Sequence, residues 1–274
     1  MKIILSLPLA VLITFNGCNE VGHGIDLPIA GTKYPTKLNM RWEYNTITII
    51  EYYDTTGQIS STETLEPGNT VVKIIKTNDT LGLYKNLIKF ETYDLSTPAL
   101  KNYHWYSNTD TSFTALAYLN AGPSQLVIPK INTKRYLTFE ELKDITSSPQ
   151  QNFFSLPPEI ISDSIIYETH RKALAYPLAI NKRWVELIVP WYRERYVDNI
   201  VNVIFNGQSI NCYEIKVDWP GFNNIEFNDF ISLSHGLVRR EILADSIMIT
   251  DPVNPDSGSY GRVSTYSNLV RINQ

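Results

Sequence analysis

"YPTKLNMRWEY" at residues 34–44 and "YPLAINKRWVE" at residues 176–186 are two versions of one motif, and each predicts where a β unit begins. In each, Pro fixes its own φ and keeps the preceding Tyr extended, while Asn tolerates a left-handed turn. Trp then opens a strand and brings a large apolar surface to the core. The motif therefore predicts the same turn into the first long strand of two related units, with a ligand-binding Trp as the alternative. Its residues are Tyr34, Pro35, Trp42, Tyr176, Pro177, Leu178, Asn181 and Trp184.

The likeness continues beyond the motif. Residues 41–53 alternate as a half-buried strand and lead into the polar turn 54–58, whereas residues 183–205 follow the same plan but are broken by Pro190. Two later pairs of segments also read as strand, polar turn and strand. These pairs are 71–94 with 201–219, and 102–119 with 228–243. We expect a mainly β protein of two tandem antiparallel β-meander domains, each a curved sheet or half-barrel. The alternative is a chance likeness between two meandering sheets.

The segment between the copies has a different character. Residues 138–146 carry a Thr cap followed by Glu residues, which favours one short helix. Residues 147–160 are rich in Pro, Ser and Gln and are typical of a linker. The predicted organisation is a signal peptide at 1–17, a lipidated Cys and flexible tether at 18–33, a first β domain at 34–128, a helix and linker at 129–160, and a second β domain at 161–274.

The N-terminus predicts export and lipid attachment. Lys2 precedes an apolar run from Ile3 to Phe15, which is too short to span a membrane as a mature helix but fits a secretory signal. Gly17 and Cys18 then resemble a lipobox, the cleavage and lipidation signal of bacterial lipoproteins, although Phe15 and Asn16 depart from its usual residues. An ordinary cleaved signal or an uncleaved anchor is the alternative.

The cysteines agree with the lipid interpretation. The chain has two, Cys18 and Cys212, so a lipidated Cys18 leaves Cys212 without a disulfide partner. Strand alternation places Tyr213 and Ile215 on the core face, and it therefore predicts that Cys212 lies on the opposite face as a small filler residue.

The motif at residues 176–184 and the segment "HGLVRRE" at 235–241 resemble a group of uncharacterised β-rich bacterial lipoproteins with the phrase YPL-x-x-(G)N-x-x-W. The second copy carries Ile180 where Gly is usual, and the first copy keeps Tyr34, Pro35 and Trp42. The resemblance implies a secreted, lipid-anchored β fold, with the membrane as a partner through the N-terminal lipid. It implies no activity.

No combination of residues predicts catalysis, a metal site or a cofactor. The four His, at 23, 104, 170 and 235, do not pair at metal-ligand spacing. Residues 250–261 gather Asp251, Asn254, Asp256 and Ser257, whose oxygens suit Ca²⁺, but the spacing misses the EF-hand pattern and favours an exposed loop. A hydrolase whose residues meet only in the folded chain stays open.

The segment "WYRERY" at 191–196 is the candidate binding stretch, with Trp191, Tyr192, Arg193 and Arg195 as possible contacts for a sugar or lipid headgroups. Alternation puts Trp191, Arg193 and Arg195 on one face, and that mixture of aromatic and basic residues favours a solvated edge strand with the Arg side chains outward.

Composition limits the function classes further. The net charge of −4 argues against nucleic acid, which requires a concentrated basic face. The sequence therefore predicts a non-enzymatic envelope lipoprotein, a binding or assembly module at the outer membrane that uses no cofactor. A carrier that holds acyl chains or another apolar ligand in a curved sheet is the alternative.

Overall fold

The computed structural model describes residues 32–65, 67–99, 101–120, 159–161, 164–188, 192–251 and 254–273, which form fourteen β-strands and no helix. The predicted signal peptide, Cys18 and the predicted helix at 138–146 lie outside these residues, as does most of the linker. The strands are β1 (Arg41–Tyr53), β2 (Ile59–Thr64), β3 (Gly68–Leu81), β4 (Tyr84–Asp94), β5 (Asn102–Asn108), β6 (Ser112–Asn120), β7 (Glu159–Ile161), β8 (Ser164–Ala175), β9 (Arg183–Leu187), β10 (Arg193–Phe205), β11 (Gln208–Asp218), β12 (Ile225–Ser232), β13 (Gly236–Asp251) and β14 (Asn254–Asn273).

The strand and turn predicted after the first motif are confirmed. β1 occupies residues 41–53, and the turn at 54–58 leads into β2, which pairs antiparallel with β1. Asp54 stabilises this turn because its Oδ1 accepts hydrogen bonds from the backbone N–H groups of Thr56 and Gln58 at 2.8 and 2.9 Å.

The two motif turns have the same backbone conformation. Asn39 and Asn181 both adopt the predicted left-handed conformation, each with φ of 66°. The N–H of Asn39 donates to the Ile74 carbonyl of β3 at 3.0 Å, and the N–H of Asn181 donates to the Val197 carbonyl of β10 at 2.8 Å. Each turn therefore fixes the start of its strand against the next strand of the same meander.

All fourteen strands belong to one sheet. Thirteen of them follow the order β7-β8-β6-β5-β4-β3-β1-β14-β13-β12-β11-β10-β9, and β2 pairs with the outer part of β1. The described residues thus do not form two separate domains, because β1 of the first predicted unit pairs with β14 of the second through twelve registered residues. Similarly, β8 lies in the range predicted for the second unit but pairs with β6.

The sheet curls into a nearly closed barrel. The sheet stays open at one place, which we call the seam. There the end of β8 (residues 170–175) faces β9 without a ladder of backbone hydrogen bonds among the described residues. Side chains bridge this gap, since the indole Nε1 of Trp184 donates to the Lys172 carbonyl at 2.9 Å. The interior is therefore nearly enclosed by backbone on all sides.

Aromatic rings fill the interior near the two motif turns, which we call the upper interior. Tyr34 stacks on Phe113 at 4.7 Å between ring centroids, Phe113 stacks on Tyr106 at 4.4 Å, and Tyr106 meets Phe90 edge-on at 4.9 Å. These spacings are those of directly contacting rings. A second apolar cluster, around Ile50, Trp219 and Phe227, fills the lower interior.

Cys212 occupies the core and not the opposite face that alternation predicts. It is fully buried within the upper apolar cluster, and burial raises the pKa of its thiol to about 12. The filler role is consistent with this position, and the high pKa keeps the thiol protonated and unreactive.

Candidate functional site

The candidate binding site, which we call the β9–β10 face, is the outer surface of β9 and β10 together with Ile188, which follows β9, and Tyr192, which precedes β10. It consists of Arg183, Val185, Ile188, Tyr192 and Tyr196. Ile188 is 62% exposed and Tyr192 is 45% exposed, which is unusual for side chains of this size at neighbouring positions. An aliphatic and an aromatic group thus lie open to solvent beside the seam of the barrel.

Polar contacts hold the aromatic rings of this face in place. The Arg183 guanidinium lies over the Tyr196 ring at 4.2 Å and contacts Glu194 and Asp218 at 3.4 and 3.2 Å. The hydroxyl of Tyr192 donates a hydrogen bond to the Glu194 carboxylate, and this bond raises the pKa of Tyr192. The face therefore presents oriented rings, which lose less entropy on binding than mobile ones.

Strand alternation explains why the charged side chains of the same strands lie inside. β9 directs Arg183 and Val185 outward and Trp184 and Glu186 inward, and β10 buries Arg193 and Arg195. The outward position predicted for both Arg side chains is therefore wrong. These residues are 4% and 2% exposed, because carboxylates on β9 and β12 pair with them inside the barrel.

These buried groups form a chain of ion pairs, which we call the internal ionic network, made of Glu186, Arg193, Arg195, Asp229 and Arg240. Glu186 contacts Arg193 at 2.8 Å and Arg195 at 2.9 Å. Asp229 contacts Arg195 at 2.9 Å and Arg240 Nη2 at 2.7 Å. The network thus ties β9 to β10, β12 and β13.

The network keeps both carboxylates ionised. Burial alone raises the pKa of Asp229, but the charges of Arg240 and Arg195 outweigh it and leave that pKa below its usual value of 3.8. Burial likewise opposes ionisation of Glu186, whose pKa is nevertheless lowered, chiefly by Arg193 and Arg195 and also by Arg171 across the seam. Carboxylates in this state accept hydrogen bonds and hold strands together, but they are poor proton donors at neutral pH.

The structure separates the residues of the predicted binding stretch. Tyr192 lies on the surface, Arg193 and Arg195 lie in the interior, and Trp191 is outside the described residues. Sequence reasoning missed Glu186, Asp229 and Arg240. The sequence did carry a signal for Asp229. This residue interrupts the inward apolar series Ile225, Phe227 and Ile231, and a charged side chain at an inward position requires a buried partner.

The histidines are dispersed. His104 is buried in β5, and burial lowers its pKa to about 3, so it is neutral at physiological pH. His170 stands edge-on to Tyr84 at 5.1 Å, and His235 shares hydrogen bonds with Ser232 and Ser234 in the β12–β13 turn. His23 and the side chains of Asp251, Asn254, Asp256 and Ser257, in the loop that the sequence predicts to be exposed, fall outside the described part. Within the described part, no three His, Cys, Asp or Glu residues cluster as metal ligands.

The described residues include no helix with the length and apolarity needed to cross a membrane.

Comparison with known proteins gives one remote structural likeness. No protein-family model and no curated protein matches the chain. A crystal structure described as "a putative lipoprotein from Parabacteroides distasonis" aligns with 89% of this chain and 99% of its own, at 13% identity and a TM-score of 0.33. A TM-score this low transfers neither a function nor a location.

Proposed function

We propose that this protein is a lipid-anchored lipoprotein of the cell envelope, at the outer membrane, and acts as a non-enzymatic binding or assembly module. The lipobox-like sequence ending in Gly17 and Cys18 supports the anchor. The module binds a protein partner through the β9–β10 face.

The observation that carries the binding role is the contrast between the two sides of β9 and β10. Their inner side is occupied by paired charges, whereas Ile188 and Tyr192, where the two strands join, are exposed to solvent. Large exposed apolar and aromatic groups with a polar rim are typical of protein interaction sites. Arg183 and Glu194 supply that rim here.

The packed interior disfavours the carrier alternative. An acyl chain inside the upper barrel would have to displace stacked rings at 4.4–4.9 Å. In the middle of the barrel it would lie against the internal ionic network, where an apolar chain forms no favourable contact.

The anchor is tested first by fractionation. We expect Cys18→Ser to move the protein from the membrane fraction to the soluble or precursor form, because the lipid chains provide the stable attachment. Detection of a diacyl or triacyl mass on the N-terminal peptide of the wild type checks the same point. An unmodified N-terminal peptide in the wild type would contradict the anchor.

The binding face is tested by photo-crosslinking in the intact envelope. A photoreactive residue at Ile188 is expected to give a discrete crosslinked species that is lost when Tyr192→Asp is added, because the charge disrupts a packed contact. The matched control is the same residue at Ile59, which is 52% exposed on β2. Equal crosslinking patterns from both positions would remove the β9–β10 face as the binding site.

A further inference from the structure

One end of the barrel, which we call the motif end, gathers the two motif turns and the turns of four hairpins, β3–β4, β5–β6, β10–β11 and β12–β13. The N–H of Tyr34 donates to the Tyr176 hydroxyl at 2.8 Å, and that hydroxyl donates to Asn108 Oδ1 at 3.2 Å, beside the β5–β6 turn. Trp42 reaches the His235 carbonyl of the β12–β13 turn at 2.6 Å. The β10–β11 turn lies at the same end, because the Phe205 ring meets His235 edge-on.

Exposed aliphatic side chains project from this end. Leu38 and Ile180 occupy the same position in the two motif turns, each directly before the left-handed Asn, and are 46% and 47% exposed. Ile204, beside the β10–β11 turn, is 69% exposed. Three separate loops thus present an isolated aliphatic group toward one side of the molecule.

The charge of the two barrel ends differs in sign. Each turn is taken together with one flanking residue on either side, except that Arg183 and Asp218 are left out because they pair with each other at 3.2 Å. The motif-end turns then carry four positive charges and one negative charge, from Lys33, Lys37, Arg41, Lys182 and Asp110. The described turns at the opposite end (54–58, 95–99 with 101, and 219–224) carry two negative charges and one positive charge, from Asp54, Asp94 and Lys101.

The chain also enters the barrel at the motif end. Tyr34 is buried there, and residues 19–33 separate it from Cys18. A lipid on Cys18 therefore connects the bilayer to this end of the barrel, and a segment of this length reaches at most about 50 Å even when fully extended. The anchor therefore keeps the motif end within this distance of the bilayer and raises its effective concentration there.

We infer that the motif end docks directly on a bilayer surface that carries anionic lipid headgroups. Leu38, Ile180 and Ile204 insert at the headgroup level, and Lys37 and Lys182 lie over the negative surface. This docking rests on the proposed lipid anchor. It turns the β9–β10 face, on the side of the barrel, toward partners in the same envelope.

The test uses the lipid-anchored full chain reconstituted in vesicles. An environment-sensitive fluorophore is attached through Ile180→Cys, or through Ile59→Cys on β2 as the matched control. Cys212 is fully buried and does not compete for the label. In vesicles of phosphatidylethanolamine and phosphatidylglycerol at three to one, we expect a blue-shifted, quencher-protected probe at position 180 and a solvent-exposed probe at position 59.

Charge variants and salt then test the cause. Lys37→Glu combined with Lys182→Glu is expected to lower the protected fraction at position 180 at least about fivefold, since each lost charge weakens attraction to the surface. High salt or vesicles of phosphatidylcholine alone should act in the same direction. Equal exposure at positions 180 and 59 on vesicle-bound protein overturns the docking and leaves the anchor standing. Protein that is absent from the vesicle fraction overturns the anchor and the docking together.

Discussion

Asp229→Ala is expected to lower the free energy of unfolding by about 3–5 kcal/mol, because it leaves two buried guanidinium groups without their shared carboxylate. Asp229 accepts hydrogen bonds from Arg195 and from Arg240, and all three residues are at most 2% exposed. Neither Arg can reach water without opening the barrel. Urea denaturation at pH 7, with the wild type measured in parallel, gives the difference directly.

An exposed carboxylate is the matched control for this variant. Asp110 pairs with Lys33 but its side chain is 92% exposed, so Asp110→Ala should leave the unfolding midpoint nearly unchanged. Similar shifts for Asp110→Ala and Asp229→Ala would mean that the internal ionic network does not stabilise the fold through charge pairing.

The pH dependence of stability follows from the same carboxylates. The folded pKa of Asp229 is lowered below 3.8 and that of Glu186 below 4.5, so both groups release their protons more readily in the folded state. Their contribution to the free energy of unfolding is complete above the pKa values of the unfolded state. It is lost as the pH falls through the lowered pKa values of the folded state. The wild type should therefore lose stability below pH 4 more steeply than Asp229→Ala does, as denaturation at several acidic pH values would measure.

Local features of the fold could be predicted because neighbouring residues determine them. The strand at 41–53 follows from alternation, and the left-handed Asn39 and Asn181 follow from turn chemistry that needs no distant partner. The equivalence of the two motif turns agrees with a duplicated unit, although the duplication itself stays a prediction.

The joining of both halves into one sheet could not be predicted in this way. It depends on Arg41 meeting Asn273 and on Trp184 meeting Lys172, contacts that no local pattern specifies. Alternation predicts two faces for each strand, but the closure of the sheet decides which face is inside.

The candidate site likewise combines a feature that the sequence predicts with one that depends on distant strands. Alternation correctly separates Arg193 and Arg195 from Tyr192 and Tyr196, yet it assigns the Arg residues to solvent because charged side chains are rarely buried. Their burial depends on Glu186 and Asp229, which lie on other strands. Pairing between strands, and not the character of the stretch itself, determined which residues remain on the surface.

Trp42→Ala is expected to cost about 3–5 kcal/mol of unfolding free energy, as the loss of a large buried aromatic side chain does. Trp42 is fully buried, packs against Phe90 at 6.2 Å, and lies on β1, the strand that joins the two meanders. Trp42→Phe keeps a ring but leaves the His235 carbonyl without its indole donor, so it should cost about 1–3 kcal/mol. Thermal or urea denaturation of both variants separates the packing contribution from the hydrogen bond.

The equivalent Trp184 provides the comparison that interprets this result. Trp184 is 7% exposed and lies on the five-residue strand β9, so Trp184→Ala should cost less than Trp42→Ala if burial determines the effect. Around Trp42 the structure has little freedom to relax, because Gly236 approaches so closely that a Cβ there would lie 3.1 Å from the indole Nε1. A cost for Trp184→Ala equal to or above that of Trp42→Ala would instead identify the β8–β9 seam, where the described residues form no backbone ladder, as the point where the barrel begins to open.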